Sequence, residues 1–101
     1  MSISSELSDD EKTVTLKIAG RFDFSTHQDF MQAYKSYPKG EKLFVVDLAE
    51  TDYLDSSAMG MLLQLREHSA VQENNVMLIN GNDAVLEILQ IANFGKLFTI
   101  Q

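Results

Sequence analysis

The sequence predicts an α/β fold: one domain over residues 1–101, built on a mixed, mostly parallel sheet with three main helices. Three observations lead there. Strand-like and helix-like segments follow one another in the order β-β-α-β-α-β-α-β, and such alternation joins parallel strands through right-handed crossovers. The run Leu43-Phe44-Val45-Val46-Asp47-Leu48 is continuous and β-branched, the pattern of a central strand covered on both faces. The length of 101 residues suits one domain, and 45% hydrophobic with 23% charged residues suits a packed rather than a disordered chain.

Each element has its own signal. Ile3 and Leu7 mark a weak opening strand, and Ser8 to Lys12 is a charged turn. Lys12 to Ala19 alternates, with Val14, Leu16 and Ile18 on one face and Thr13, Thr15 and Lys17 on the other. That is a half-buried strand, which Gly20 is expected to end. It pairs antiparallel with the opening strand. Ser25 to Tyr37 reads as a helix with Phe30, Ala33, Tyr34 and Tyr37 in one stripe, opened by a Ser25–Gln28 capping box and stopped by Pro38 and Gly40. A second helix runs from Asp55-Ser56-Ser57 to about Gln72, with Ala58, Met61, Leu62, Leu65 and Ser69 as its buried face. Glu73-Asn74-Asn75 is a turn and Val76 to Ile79 a short buried strand. Asp83 to Asn93 is a third helix carrying Val85, Leu89 and Ala92 on one face, and Leu97 to Ile100 a closing strand.

Composition excludes several classes of function. Eight Lys and Arg against 15 Asp and Glu leave a net charge of −7. The basic residues are scattered rather than clustered, which argues against nucleic acid and against docking on anionic membranes. The absence of cysteine removes disulfides, thiol catalysis and iron–sulfur ligation. The polar, acidic N-terminus lacks the form of a secretory signal, and no apolar run approaches the ~20 residues that span a bilayer. The expectation is a cytoplasmic protein with no direct membrane insertion. No metal or cofactor site is expected: His27 and His68 lack ligand spacing, the glycines stand singly, and no nucleophile elbow surrounds Ser56 or Ser57. Asp47, Asp52 and Asp55 do not form the acidic arrangement of a phospho-aspartate receiver.

The informative stretch is Tyr53-Leu54-Asp55-Ser56-Ser57-Ala58-Met59-Gly60-Met61-Leu62-Leu63. It opens a helix after a central strand, where ligands and partners collect in open α/β sheets. Free N–H groups and the helix dipole at such a start favour a phosphate on Ser56 or Ser57. From local physics alone an ordinary cap is the plainer reading of Asp-Ser-Ser. Gly60 is less ordinary, because glycine inside a helix costs roughly 0.5–1 kcal/mol relative to alanine. Something close by is expected to need its space. Met59 and Leu63, four residues apart, are either covered by other core elements or form a small apolar contact surface.

Asp55-Ser56-Ser57-Ala58-Met59-Gly60 resembles the Asp-Ser-Ser/Gly-Gly/Ala-x-Gly signature of the STAS family, the bacterial anti-sigma-factor antagonists. Gly20-Arg21-Phe22-Asp23-Phe24-Ser25-Thr26 resembles the family's second motif, Gly-x-hydrophobic-Asp-x-x-Thr, at the expected distance upstream. Ala58 stands where many members carry glycine. The resemblance covers essentially the whole chain and implies a stand-alone STAS domain with Ser56 as phosphorylation site. The docking site it implies is Asp55, Ser57, Ala58, Met59, Gly60 and Leu63, flanked by Asp23 and Thr26. Asp23 is read as a neighbour that orients the Ser56 loop or the docking kinase, or as a turn residue accepting local N–H bonds.

Partner switching is the implied function, and it is not enzymatic. The unphosphorylated form binds an anti-sigma factor or serine kinase of the histidine-kinase-like ATPase type, phosphorylation breaks the complex, and a PP2C-type phosphatase restores it. A diguanylate cyclase in place of the anti-sigma factor is a further partner class. The rival role within the family is a non-phosphorylated subunit of a membrane lipid transport complex.

Overall fold

The computed structural model describes residues 2–69 and 76–101, with the side chain of Ser2 left aside. The opening strands, β1 (Ser2–Leu7) and β2 (Thr13–Phe22), form an antiparallel pair running from Ser2↔Ala19 to Leu7↔Val14. The first half of β2 pairs in parallel with β3 (Leu43–Asp47), β3 with β5 (Val76–Ile79), and β5 with the two-residue β6 (Thr99–Ile100). The sheet order is β1-β2-β3-β5-β6, with β4 (Thr51–Leu54) paired to the second half of β2. This is the expected mixed sheet with three helices, α1 (His27–Lys35), α2 (Ser56–His68) and α3 (Asp83–Ile91), but β4 is a strand that the expected order lacks, so α2 follows β4 rather than the central β3.

The steps from β2 to β3, β3 to β5 and β5 to β6 all move the same way across the sheet. Right-handed crossovers then set all three helices on one face. Burial follows that rule. Val14, Leu16, Ile18, Phe44, Val46, Val76 and Leu78 point under the helices and are buried. On the other face Thr15, Val45, Met77 and Ile79 are half-buried and Lys17 is exposed. The expectation that Leu43 to Leu48 is covered on both faces is therefore corrected. Only Phe44, Val46 and Leu48 are buried, while Leu43 remains 38% exposed.

Three local expectations also change. Gly20 does not end β2. Its φ of +87° places it at an irregularity where the register jumps from Gly20↔Thr51 to Arg21↔Tyr53, leaving Asp52 of β4 as the extra residue. The strand continues to Phe22 with β4 as its new partner. Ser25 does not cap the first helix either. A 3-10 turn over Phe24–Thr26 comes first, and its cap is Asp23. The closing strand is shorter than expected because the N–H groups of Leu97 and Phe98 both turn back to the Phe94 carbonyl, after a 3-10 turn over Phe94–Lys96. The predicted turn at Glu73 to Asn75 and the predicted end of the second helix at Gln72 lie outside the described residues.

Phe30 and Tyr34 of α1, Val85 and Leu89 of α3, and the sheet's inner residues close one core. The predicted face of α2 holds in full: Ala58, Met61, Leu62, Leu65 and Ser69 are all buried.

Candidate functional site

The bulge in the β2–β4 pair sets the site. It lets β4 run beside the end of β2, so that the Asp55 N–H points back to the Phe22 carbonyl at 3.4 Å. The turn after β2 and the start of α2 therefore meet at one corner of the molecule. Thr51, which begins β4, is fastened by its buried hydroxyl, which donates to the Ile18 carbonyl at 2.7 Å.

At that corner Asp55 caps α2. Its Oδ1 accepts from the Ala58 N–H at 2.9 Å and from the Ser57 hydroxyl at 2.7 Å. The Ser57 hydroxyl and then the Ala58 N–H hold the Asp55 carboxyl below its ordinary pKa, while burial and the negative charge of Asp23 act in the opposite direction. Asp23 is thus an electrostatic neighbour of Asp55. Its own carboxylate accepts the hydroxyl and the N–H of Ser25 and makes a long 3.4 Å contact to Arg21; the Ser25 hydroxyl above all lowers its pKa, and desolvation opposes it. Both aspartates are ionised and locally satisfied.

Ser56 stands first in α2 beside this pair. It is exposed, and its hydroxyl bonds to no described residue. Helical spacing puts Ser56, Gly60, Leu63 and Glu67 in one exposed row opposite the buried face. A Cβ on Gly60 would meet nothing within 4 Å. The expectation that a neighbour needs its space fails within this chain, since the opening faces outward. Met59 and Leu63 divide: Met59 packs against the core, and Leu63 is 39% exposed.

The other predicted docking residues separate by burial. Asp23, Asp55 and Ser57 are half-buried and reachable. Thr26 and Ala58, also expected in the docking site, are fully buried. The Thr26 hydroxyl donates to the Asp23 carbonyl at 2.7 Å, and Ala58 sits in the core.

Sequence reading missed two exposed aromatics at the same corner. Phe24 is 70% exposed and stacks on His27 at 5.4 Å. Tyr53 lies under the Arg21 guanidinium, 4.4 Å from the ring centroid. An exposed phenylalanine inside the second motif was the available signal. Among the described residues no cluster of His, Cys, Asp or Glu could hold a metal ion, and no helix is long and apolar enough to cross a membrane.

The family described as "Mlab, STAS domain" matches residues 5–99. The chain belongs to the STAS domain family. A relative, the STAS-domain containing protein PA14_20770 of Pseudomonas aeruginosa (strain UCBPP-PA14), is 45% identical over 100 residues and aligns over 99% of each chain. Three solved structures share the fold. The anti-sigma factor antagonist SpoIIAA in its unphosphorylated form is similar with a TM-score of 0.67 at 18% identity, over 99% of this chain and 87% of that one. The Bacillus cell fate determinant SpoIIAA in the phosphorylated form gives 0.62 at 16% identity, over 99% and 91%. An antisigma-factor antagonist STAS domain from Rhodobacter sphaeroides gives 0.53 at 21% identity, over 78% and 85%. This STAS domain therefore has the fold of the anti-sigma-factor antagonists.

Proposed function

We propose that this STAS domain is a phosphorylation-controlled binding protein of the anti-sigma-factor antagonist type, with Ser56 as the acceptor. The observation that carries the reading is the exposed, unbonded Ser56 hydroxyl at the start of α2, beside two ionised aspartates. A kinase can reach it without opening the fold. In the transfer, the Ser56 oxygen forms a bond to the γ-phosphorus of ATP, the β–γ phosphoanhydride bond breaks, ADP leaves, and the hydroxyl proton passes to a base of the kinase. A PP2C-type phosphatase reverses the modification by hydrolysis.

The unphosphorylated form binds an anti-sigma factor or serine kinase of the histidine-kinase-like ATPase type, or a diguanylate cyclase in its place. Asp23, Asp55, Ser57, Gly60 and Leu63 form the surface, with Met59, Thr26 and Ala58 supporting it. Gly60 gives a partner backbone close access to α2. Phosphate adds about −1.5 to −2 charge. Enclosing it against an apposed surface costs several kcal/mol, and about 1.4 kcal/mol is a tenfold loss of affinity.

Phosphopeptide mass spectrometry of protein from cells, joined to affinity capture, tests acceptor and partner together. Ser56→Ala is expected to hold the captured partner constitutively and Ser56→Asp to release it. Equal affinity of the two variants for the purified partner would remove the switch. Absence of phosphate on Ser56, with an ATP-binding cassette subunit co-purifying, would replace this reading with the membrane lipid transport role.

A further inference from the structure

Among the described residues, the large apolar side chains left exposed are Leu7, Phe24, Leu43, Tyr53, Leu63 and Ile91. Three of them border Ser56. Leu63 shares its exposed row on α2, Tyr53 stands just before the Asp55 cap, and Phe24 directly follows Asp23. The same corner holds Arg21, the exposed arginine, stacked on Tyr53. The exposed lysines Lys12, Lys17, Lys35, Lys39 and Lys96 lie elsewhere, none of them on β4 or α2. Phe, Tyr and Arg are enriched in protein interfaces, and Lys is depleted there.

Phe24 projects furthest of the three, yet it is held still. The Asp23 carboxylate accepts from the Ser25 N–H at 3.0 Å, and the Asp23 carbonyl accepts from the buried Thr26 hydroxyl at 2.7 Å and from the Thr26 N–H at 3.0 Å. These bonds close the turn on both sides of Phe24. The His27 ring lies nearly parallel against its side chain, 13° between planes. An aromatic that is already fixed loses little freedom on docking. A projecting ring is enclosed by a concave receptor, so the occupant that fits it is a protein with a cleft. Charge sets the rim of that cleft. Asp23 and Asp55 are ionised beside Phe24, Asp52 is exposed on β4, and Arg21 is engaged with Tyr53 and Asp23. A surface that encloses these carboxylates has to bring the countercharge itself, because a buried charge without a partner is costly.

We propose that Phe24 anchors the partner of the Ser56 corner, its ring seated in an apolar cleft whose rim carries a Lys or Arg facing Asp23 and Asp55. The proposal rests on the reading of that corner as a docking surface. It adds the residue that carries the affinity and the chemistry of the receptor. Ser56 supplies the switch, and Phe24 the grip.

Photo-crosslinking in cells, from benzoyl-phenylalanine placed at position 24 of the full chain, tests it first. The adduct should form with the protein that Ser56→Ala captures, at a point among apolar side chains with a Lys or Arg beside them. That protein is then purified and titrated by calorimetry. Phe24→Ala should weaken binding at least about tenfold, and Phe24→Leu, which keeps an apolar anchor, by less. Phe24 is exposed, so thermal unfolding of Phe24→Ala should match the wild type. Asp23→Asn keeps an acceptor for the turn, and should weaken binding and flatten its salt dependence. Ile91→Ala removes a side chain that is 78% exposed at the end of α3, and should leave the affinity unchanged. Full affinity of Phe24→Ala while Ser56→Asp still releases the partner would overturn the anchor and leave the switch standing. Equal binding by the two Ser56 variants, with Phe24→Ala still weak, would remove the switch and keep the anchor. No adduct at position 24, an adduct with a second copy of this chain alone, or an equal loss in Ile91→Ala would each overturn the proposal.

Discussion

Replacing Asp55 separates the two parts of its cap. The carboxylate accepts from the Ala58 N–H at 2.9 Å and the Ser57 hydroxyl at 2.7 Å. Asp55→Ala removes the one oxygen that accepts both bonds, at the start of a helix of 13 residues that contributes Ala58, Met61, Leu62 and Leu65 to the core. Loss of an N-cap costs about 1 kcal/mol, within about 0.5–2. In a domain of this size that is about 4–8 °C in Tm. Asp55→Asn keeps a good capping oxygen and loses only the charge on the helix dipole, about 0.3–1 kcal/mol at exposed sites, so its loss should be no more than half that of alanine. The pH dependence has a fixed sign. The folded pKa of Asp55 is depressed, so its charge stabilises above the unfolded value near 3.9, and that contribution is lost as pH falls through the folded value. Urea unfolding of the wild type and both variants between pH 2 and 7 reads this directly. The gap between wild type and Asp55→Asn should close toward the acid end. Equal losses in the two variants, or a gap that widens in acid, would refute the capping argument.

Three further outcomes follow from the same corner. Gly60→Ala has open space for its methyl and should stabilise the domain by about 0.5–1 kcal/mol in thermal unfolding, while weakening the proposed partner complex by closing the approach to α2. Gly20→Ala meets no steric neighbour, yet its backbone sits at φ +87°. It should therefore destabilise by about 1–2 kcal/mol, with the fastest amide exchange gained along the β2–β4 pair. Asp23→Asn removes the charge that works against ionisation of Asp55, and a carboxyl carbon NMR titration should show the Asp55 pKa moving lower; an upward movement would mean that the two carboxylates do not sense each other.

Much of this fold was legible because burial and backbone period agree along most elements. The alternation of Val14, Leu16 and Ile18 and the 3.6-residue face of α2 each report one buried side, and both are buried as read. The misses share a cause, which is that backbone pairing leaves little trace in side chains. The β4 strand has four residues, two of them exposed, and is held by its ladder to β2 and by the Thr51 hydroxyl. Gly20 signals positive φ, and a bulge and a strand end look alike in sequence. Val45 and Met77 are apolar on the open side of the sheet, so composition suggested a cover that the one-way crossovers do not supply. At the site, the Asp-Ser pair was visible as a cap, whereas the neighbourhood of Asp23 and Asp55 depends on a register shift that no local pattern records.

That register shift bears on how a switch at Ser56 would work. Asp23 and Asp55 each satisfy their own turn through local donors, so the fold spends no cation on either beyond the long contact from Arg21. A phosphate on Ser56 would meet two like charges, but in water two unit charges at ~4 Å interact by only ~1 kcal/mol. The dipole of α2 offsets part of that, and the exposed hydroxyl gives up no bond. The free domain would therefore tolerate the modification. Exclusion of water by an apposed protein changes the same geometry: at an effective dielectric near 20 the repulsion rises to ~4 kcal/mol per pair of charges. On the proposed function, the discrimination would thus lie in the solvent around the corner rather than in a movement of the chain, and it would require both aspartates to be ionised, which their local bonds favour.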